Sequence, residues 1–145
     1  MGTLYHVDPL AEAGANFADW ALVPEAPGLD ASQPSRNPTL AEVRAVLDGF
    51  EKASVEYTMH AEGMDAAIAD AGLSTLLHLE GTSEEAHPHR LWFEKGDEDL
   101  IVDILERLSR LCGAFVLIPD TGGQGLVIYP GVDVDDALDL WDEES

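Results

Sequence analysis

Between Asp97 and Cys112 the chain carries one wide apolar stripe at helical spacing, and a stripe of that width has to be covered by the rest of the fold. Leu100, Ile101, Ile104, Leu105, Leu108, Leu111 and Cys112 recur three and four residues apart, the pattern of an amphipathic helix. The ends agree with it. Asp97, Glu98 and Asp99 fall in the first turn, where carboxylates favour the positive end of the helix dipole. Arg107 and Arg110 lie toward the negative end, and Gly113 suits the position after it. Asp103 and Arg107 are spaced for an i,i+4 ion pair.

A second helix is signalled at Thr39. Thr39 and Glu42 have capping-box spacing, and Leu40, Val43, Val46, Leu47 and Phe50 form an apolar face that should end near Lys52–Ser54. Five segments read as strands: Val55–His60, Thr75–Glu80, His89–Lys95, Ala114–Pro119 and Leu126–Tyr129. The polar stretch 81–88 and the run Asp120-Thr-Gly-Gly-Gln-Gly each suit the turn of an antiparallel pair. Ala-rich Met64–Ala71, with Met64, Ala67, Ile68 and Ala71 at helical spacing before Gly72, predicts a short helix. Val134, Ala137, Leu138 and Trp141 predict another within Asp133–Ser145, which holds seven acids and no base. Residues 1–38 lack periodicity and have prolines at 24, 27, 34 and 38. They read as an irregular acidic arm packed on the core through Tyr5, Phe17, Trp20 and Val23, with a short helix near Leu10–Trp20. The expectation is an α+β fold. A mainly antiparallel sheet of about five strands packs against two principal helices, with the arm at 1–38 and a single domain over 39–145.

The charge narrows the function classes. Of 145 residues, 29 are Asp or Glu and seven are Lys or Arg, a formal charge of -22. Binding to DNA, RNA or anionic lipid draws on Lys and Arg, so direct contact with any of them is excluded. A field of this sign steers cationic partners instead, at the cost of self-repulsion. The plainer reading is a halophilic or solubility trait. At 46% hydrophobic the chain lies outside the disordered class. No apolar run approaches the roughly 20 residues of a membrane span, and Met1–Leu10 lacks the pattern of a signal peptide, so the expected location is cytoplasmic. The single cysteine, Cys112, has no partner for an internal disulfide and reads as a small buried hydrophobe.

No catalytic motif emerges. Gly122, Gly123 and Gly125 stand between two strands rather than before a helix, which makes them a turn and not a phosphate cradle. His87-Pro-His89, with Glu84, Glu85 or Glu94, could supply metal ligands, but the set is looser than a zinc signature. His60 and His78 fall in strands and share a face if the pairing brings them together. Asp133, Asp135 and Asp136 fail the EF-hand pattern. No nucleophile elbow or Ser-His-Asp grouping is present. No catalytic, cofactor or metal residue is assigned, and no cofactor is expected.

What remains is a surface. Acids concentrate at Glu84 and Glu85, at Asp97, Glu98 and Asp99, and at Asp133, Asp135 and Asp136, with Trp92 and Trp141 near them. Charge that speeds encounter beside aromatics that hold a complex suits docking onto a basic protein, although Trp141 also reads as the core anchor of the last helix. The run Arg107-Leu-Ser-Arg-Leu-Cys-Gly-Ala-Phe-Val-Leu-Ile-Pro-Asp-Thr-Gly-Gly, in a small acidic α+β chain, resembles some bacterial immunity proteins, which neutralise secreted interbacterial toxins. The likeness covers the C-terminal half and lies in overall style. Immunity proteins share no common active site, so the resemblance carries over a role and no residue. That role is tight binding of a cognate cationic toxin, often one that acts on nucleic acid. Two alternatives stand beside it: a small enzyme or ligand-binding domain using His60 or His78 with carboxylates, and a phage-type nucleic-acid mimic.

Overall fold

The apolar stripe is covered by an eight-stranded sheet. The structure, a computed structural model, describes residues 4–13, 19–24, 34–61, 63–80, 90–121 and 124–144. Its elements are β1 (Leu4–Pro9), α1 (Leu10–Ala13), β2 (Ala21–Leu22), α2 (Leu40–Asp48), β3 (Ser54–Met59), β4 (Gly63–Asp70), β5 (Leu73–Glu80), β6 (Arg90–Gly96), α3 (Glu98–Cys112), β7 (Phe115–Pro119), β8 (Gly125–Ile128) and α4 (Val134–Glu144). The strand order is β2-β8-β7-β1-β6-β5-β4-β3. Every pair is antiparallel except β2 with β8, so the sheet is mixed.

Helices α2, α3 and α4 pack on one face, with α3 between the other two. Their buried side chains, among them Val43, Leu47, Ile101, Ile104, Leu105, Leu108, Ala137 and Trp141, meet Tyr5, Met64, Ile68, Leu77, Phe93, Phe115 and Leu126 from the strands. A smaller cluster lies on the opposite face at the β7–β8 end. There Leu10, Ala21 and their neighbours cover Val116 and Val127.

The α+β class holds, but the layout differs from the sequence expectation of about five mainly antiparallel strands and two principal helices. Among the described residues there are eight strands in a mixed sheet, and four helices. The expected irregular arm over 1–38 holds β1, a central strand hydrogen-bonded to β6 on one side and β7 on the other. Tyr5 and Val7 point into the core and alternate with half-buried His6. Residues 14–18, including Phe17, lie outside the described residues, and α1 occupies only the start of the helix expected near Leu10–Trp20.

The second large correction is β4, where the expected helix was Met64–Ala71. Alanine fits a helical period and a strand period equally well, and the deciding set is Met64, Ala66 and Ile68, all buried at a spacing of two. Gly72 does not close a helix. With Ala71 it forms the two-residue hairpin between β4 and β5, and both residues have positive φ, 52° and 85°, as a primed turn requires.

One helix end also moves, and one apolar stripe differs from that read in the sequence. The capping box at Thr39 and Glu42 forms as read, but α2 stops at Asp48 and is capped by Gly49. Leu111, counted in the apolar stripe of α3, is 52% exposed, whereas Val102, Glu106 and Ser109 are buried because α3 has a helix on each side. The Asp103–Arg107 pair is present at 3.1 Å.

Candidate functional site: the helix-free half of the sheet

None of the described helices covers the back of the sheet from β6 to β3. Strand alternation places on that face Arg90, Trp92 and Glu94 of β6, Leu76 and His78 of β5, Asp65, Ala67 and Ala69 of β4, and Ser54 and Glu56 of β3. Cross-strand register lines them up in rows. One row runs His6, Trp92, His78, Asp65, Thr58 across β1, β6, β5, β4 and β3. The next runs Leu4, Glu94, Leu76, Ala67, Glu56.

The two histidines do come together, His78 in β5 and His60 just past the end of β3, joined by a residue not anticipated as a site. Asp65 Oδ1 is 2.6 Å from His78 Nδ1, and Asp65 Oδ2 is 2.5 Å from His60 Nε2. His78 Nε2 is in turn 3.0 Å from Glu94 Oε2. His78 thus has a carboxylate within hydrogen-bond distance of each ring nitrogen. Burial works to raise the Asp65 pKa, but the hydrogen bonds and charge of His60 and His78 outweigh it and hold the carboxyl below its ordinary value. The His78 ring stacks on Trp92 at 5.1 Å, and the guanidinium of Arg90 lies 5.0 Å from the same indole. The result is a hydrogen-bonded chain, His60–Asp65–His78–Glu94, beside an aromatic platform.

Both nitrogens of His78 are occupied by carboxylates, and among the described residues no hydroxyl or thiol is hydrogen-bonded to either imidazole. Among the described residues, no group of three or more His, Cys, Asp or Glu side chains is placed to hold a metal ion.

The other anticipated residues separate into two places. Glu84, Glu85, His87 and His89 lie outside the described residues, as do Gly122 and Gly123. Asp97 is a structural tie: its Oδ2 accepts from Ser74 N at 2.9 Å, and its own N–H donates to the Ser74 carbonyl at 2.9 Å. Asp133 caps α4, with Oδ1 accepting from Asp136 N at 3.0 Å. Trp141 belongs to the core. It is 6% exposed, donates from Nε1 to the Gln124 carbonyl at 3.0 Å and meets Tyr5 edge-on at 6.3 Å.

Glu98, at the start of α3, does meet the acidic last helix. Burial, then the neighbouring charges of Asp142 and Asp99, push the Glu98 carboxyl above its ordinary pKa. Asp133, Asp136, Asp139 and Glu143 line a groove of about 560 Å³ beside Pro24 and Tyr129. This acidic edge is on the helix layer, whereas Trp92 is on the opposite face of the sheet, so Trp92 and α4 do not share one surface.

Comparison with known proteins gives no matching family model and no match among curated proteins or solved structures. Among the described residues, no helix is long and apolar enough to cross a membrane.

Proposed function

We propose that this protein is a non-enzymatic acidic binding protein of the immunity type, which neutralises a cationic toxin in the cytoplasm by docking onto it. The observation that carries the reading is how the chain uses its few cations. All five arginines are engaged within the fold. Arg36 pairs with Glu42, Arg107 with Asp103 and Arg110 with Glu106, while Arg44 and Arg90 lie over Tyr57 and Trp92. Helix α4 has no base of its own, and its carboxylates crowd those at the start of α3 closely enough to disturb Glu98. Such crowding costs folding free energy and is relieved by a cationic partner. The sheet face with Trp92, which no described helix covers, adds a second surface that carries carboxylates.

The test measures association of the full chain with the product of the gene adjoining its own. Lysozyme and cytochrome c serve as cationic controls, and stopped flow is run from low to high salt. The expected result is a 1:1 complex with the adjoining-gene product, at least about a thousandfold tighter than with the controls. Its on-rate should fall about tenfold or more as salt rises. Affinity no better than that of the controls, or an on-rate insensitive to salt, would overturn the reading.

A further inference from the structure

The helix-free sheet face holds a hollow of about 410 Å³, and its residues are specific enough to name an occupant. Its floor is Ala67, Ala69 and Leu76; Glu56 and Glu94 stand on opposite sides, with Ser54 and Ser74 at one end. The hollow exists because β4 places two alanines side by side on this face, between strands that carry longer side chains. Glu56, Ala67, Leu76 and Glu94 form one transverse row over four adjacent strands. At about 4.8 Å per strand, the two glutamates arise roughly 14 Å apart. Glu56 borders the hollow on one side, and on the other Glu94, whose Oε2 also meets His78 Nε2 at 3.0 Å, adds the second carboxylate.

We infer that this hollow takes an arginine side chain presented by the cationic partner, an inference that rests on the docking reading above. Charge complementarity selects the occupant. An acidic rim over an apolar floor matches a side chain with an aliphatic stem and a charged head, and the fork of a guanidinium can address carboxylates on two sides where an ammonium presents a point charge. The same face already accommodates one such group, since the Arg90 guanidinium rests on Trp92 one row away. A second copy of this chain is the wrong occupant, because each copy carries -22. Lys95 borders the hollow at a bulge held by Gly96, where any Cβ would clash with the Ser74 carbonyl. Its ammonium is a like charge that the incoming guanidinium must tolerate.

The probe is N-acetyl-arginine amide, titrated into the isotopically labelled full chain and followed by amide NMR, with N-acetyl-citrulline amide as the neutral isostere. Saturable shifts centred on Ala67, Ala69 and Leu76 are expected with the arginine compound and not with citrulline. Binding should weaken about tenfold or more in Glu56→Gln/Glu94→Gln, the loss of charge-assisted hydrogen bonds. In Lys95→Ala, which a merely structural disturbance would not improve, it should tighten. Equal response to citrulline, unsaturable shifts, or shifts centred on Asp135–Asp142 would overturn the assignment. The adjoining-gene product is then bound to the same variants. If it binds wild type tightly and Glu56→Gln/Glu94→Gln equally well, docking stands and the arginine hollow falls. If the amide binds as expected but no cationic protein does, the hollow stands and the docking function falls.

Discussion

Glu42 offers the sharpest quantitative test of how this acidic fold holds together. Its carboxylate does two jobs: Oε1 accepts from Thr39 N at 2.9 Å to close the capping box, and both oxygens accept from Arg36, at 2.6 and 2.8 Å. Arg36 in turn donates its backbone N–H to the Cys112 carbonyl at 2.9 Å, so the pair clamps the start of α2 to the end of α3. The Arg36 hydrogen bonds outweigh burial and lower the Glu42 pKa from 4.5 to about 2. At about 1.36 kcal/mol per pH unit, that displacement caps the contribution at about 3.4 kcal/mol. Arg36 is 48% exposed, so solvent and salt screening reduce this to about 1–2 kcal/mol. Because the folded-state pKa is depressed, the stabilisation is present above pH 4.5 and is lost as pH falls toward 2. Urea unfolding of wild type, Glu42→Gln and Glu42→Ala is to be measured from pH 7 down to acid. Glu42→Gln should lose about 1–2 kcal/mol at pH 7, with the difference from wild type closing below pH 4.5. Glu42→Ala should lose about 1 kcal/mol more through the broken box. Comparing differences removes the other carboxylates, which titrate in the same range. A gap that stays constant down to pH 2 would refute the ion pair as its source.

Three further outcomes follow from particular positions. Ala71, a non-glycine residue at φ 52° in the β4–β5 turn, should gain about 0.5–1 kcal/mol on Ala71→Asn in thermal unfolding, and a loss would refute the primed turn. Trp141→Ala should cost about 3–5 kcal/mol and Trp141→Phe about 1, by urea titration; a cost below 1 kcal/mol for the alanine variant would mean that α4 is not docked by its indole. Burial, reinforced by the Glu42 charge, pushes the Cys112 thiol up to about 12. At pH 8 about one thiol in ten thousand is then ionised, so a disulfide reagent should label it only in urea, and rapid labelling of the folded protein would contradict the burial.

The helices were legible because their signals are local. The capping box at Thr39 and the stripe of α3 need no knowledge of distant residues, and both are found. Strand β1 was not legible, because it ends at Pro9 and gains its identity from partners far downstream at Leu91–Glu94 and Phe115–Pro119. Strand β4 was misread because Ala66, Ala67 and Ala69 satisfy either period, and the contact that decides between them is with Leu76 and Leu77 of β5. That error hid the site. With 64–71 taken as helical, Asp65 could not be placed between His60 and His78, and the alanine floor of the hollow could not be seen. The histidines themselves were visible as strand residues; only the pairing could join them.

The central place of β1 sets the order in which this protein can become itself. Leu4 N donates to the Asp120 carboxylate, 116 residues away in the chain, and β1 separates β6 from β7 in the sheet. During synthesis the first strand therefore waits, unpaired, until β6 has left the ribosome, and it is sealed on its second side only by β7. The hairpins of β3 to β6 are near neighbours in sequence and can assemble early, whereas closure of the two halves is a late, long-range event of the kind that slows folding. Nascent chains stalled just before Phe115 should stay sensitive to protease along β1, and release of β7 should abolish that sensitivity in one step.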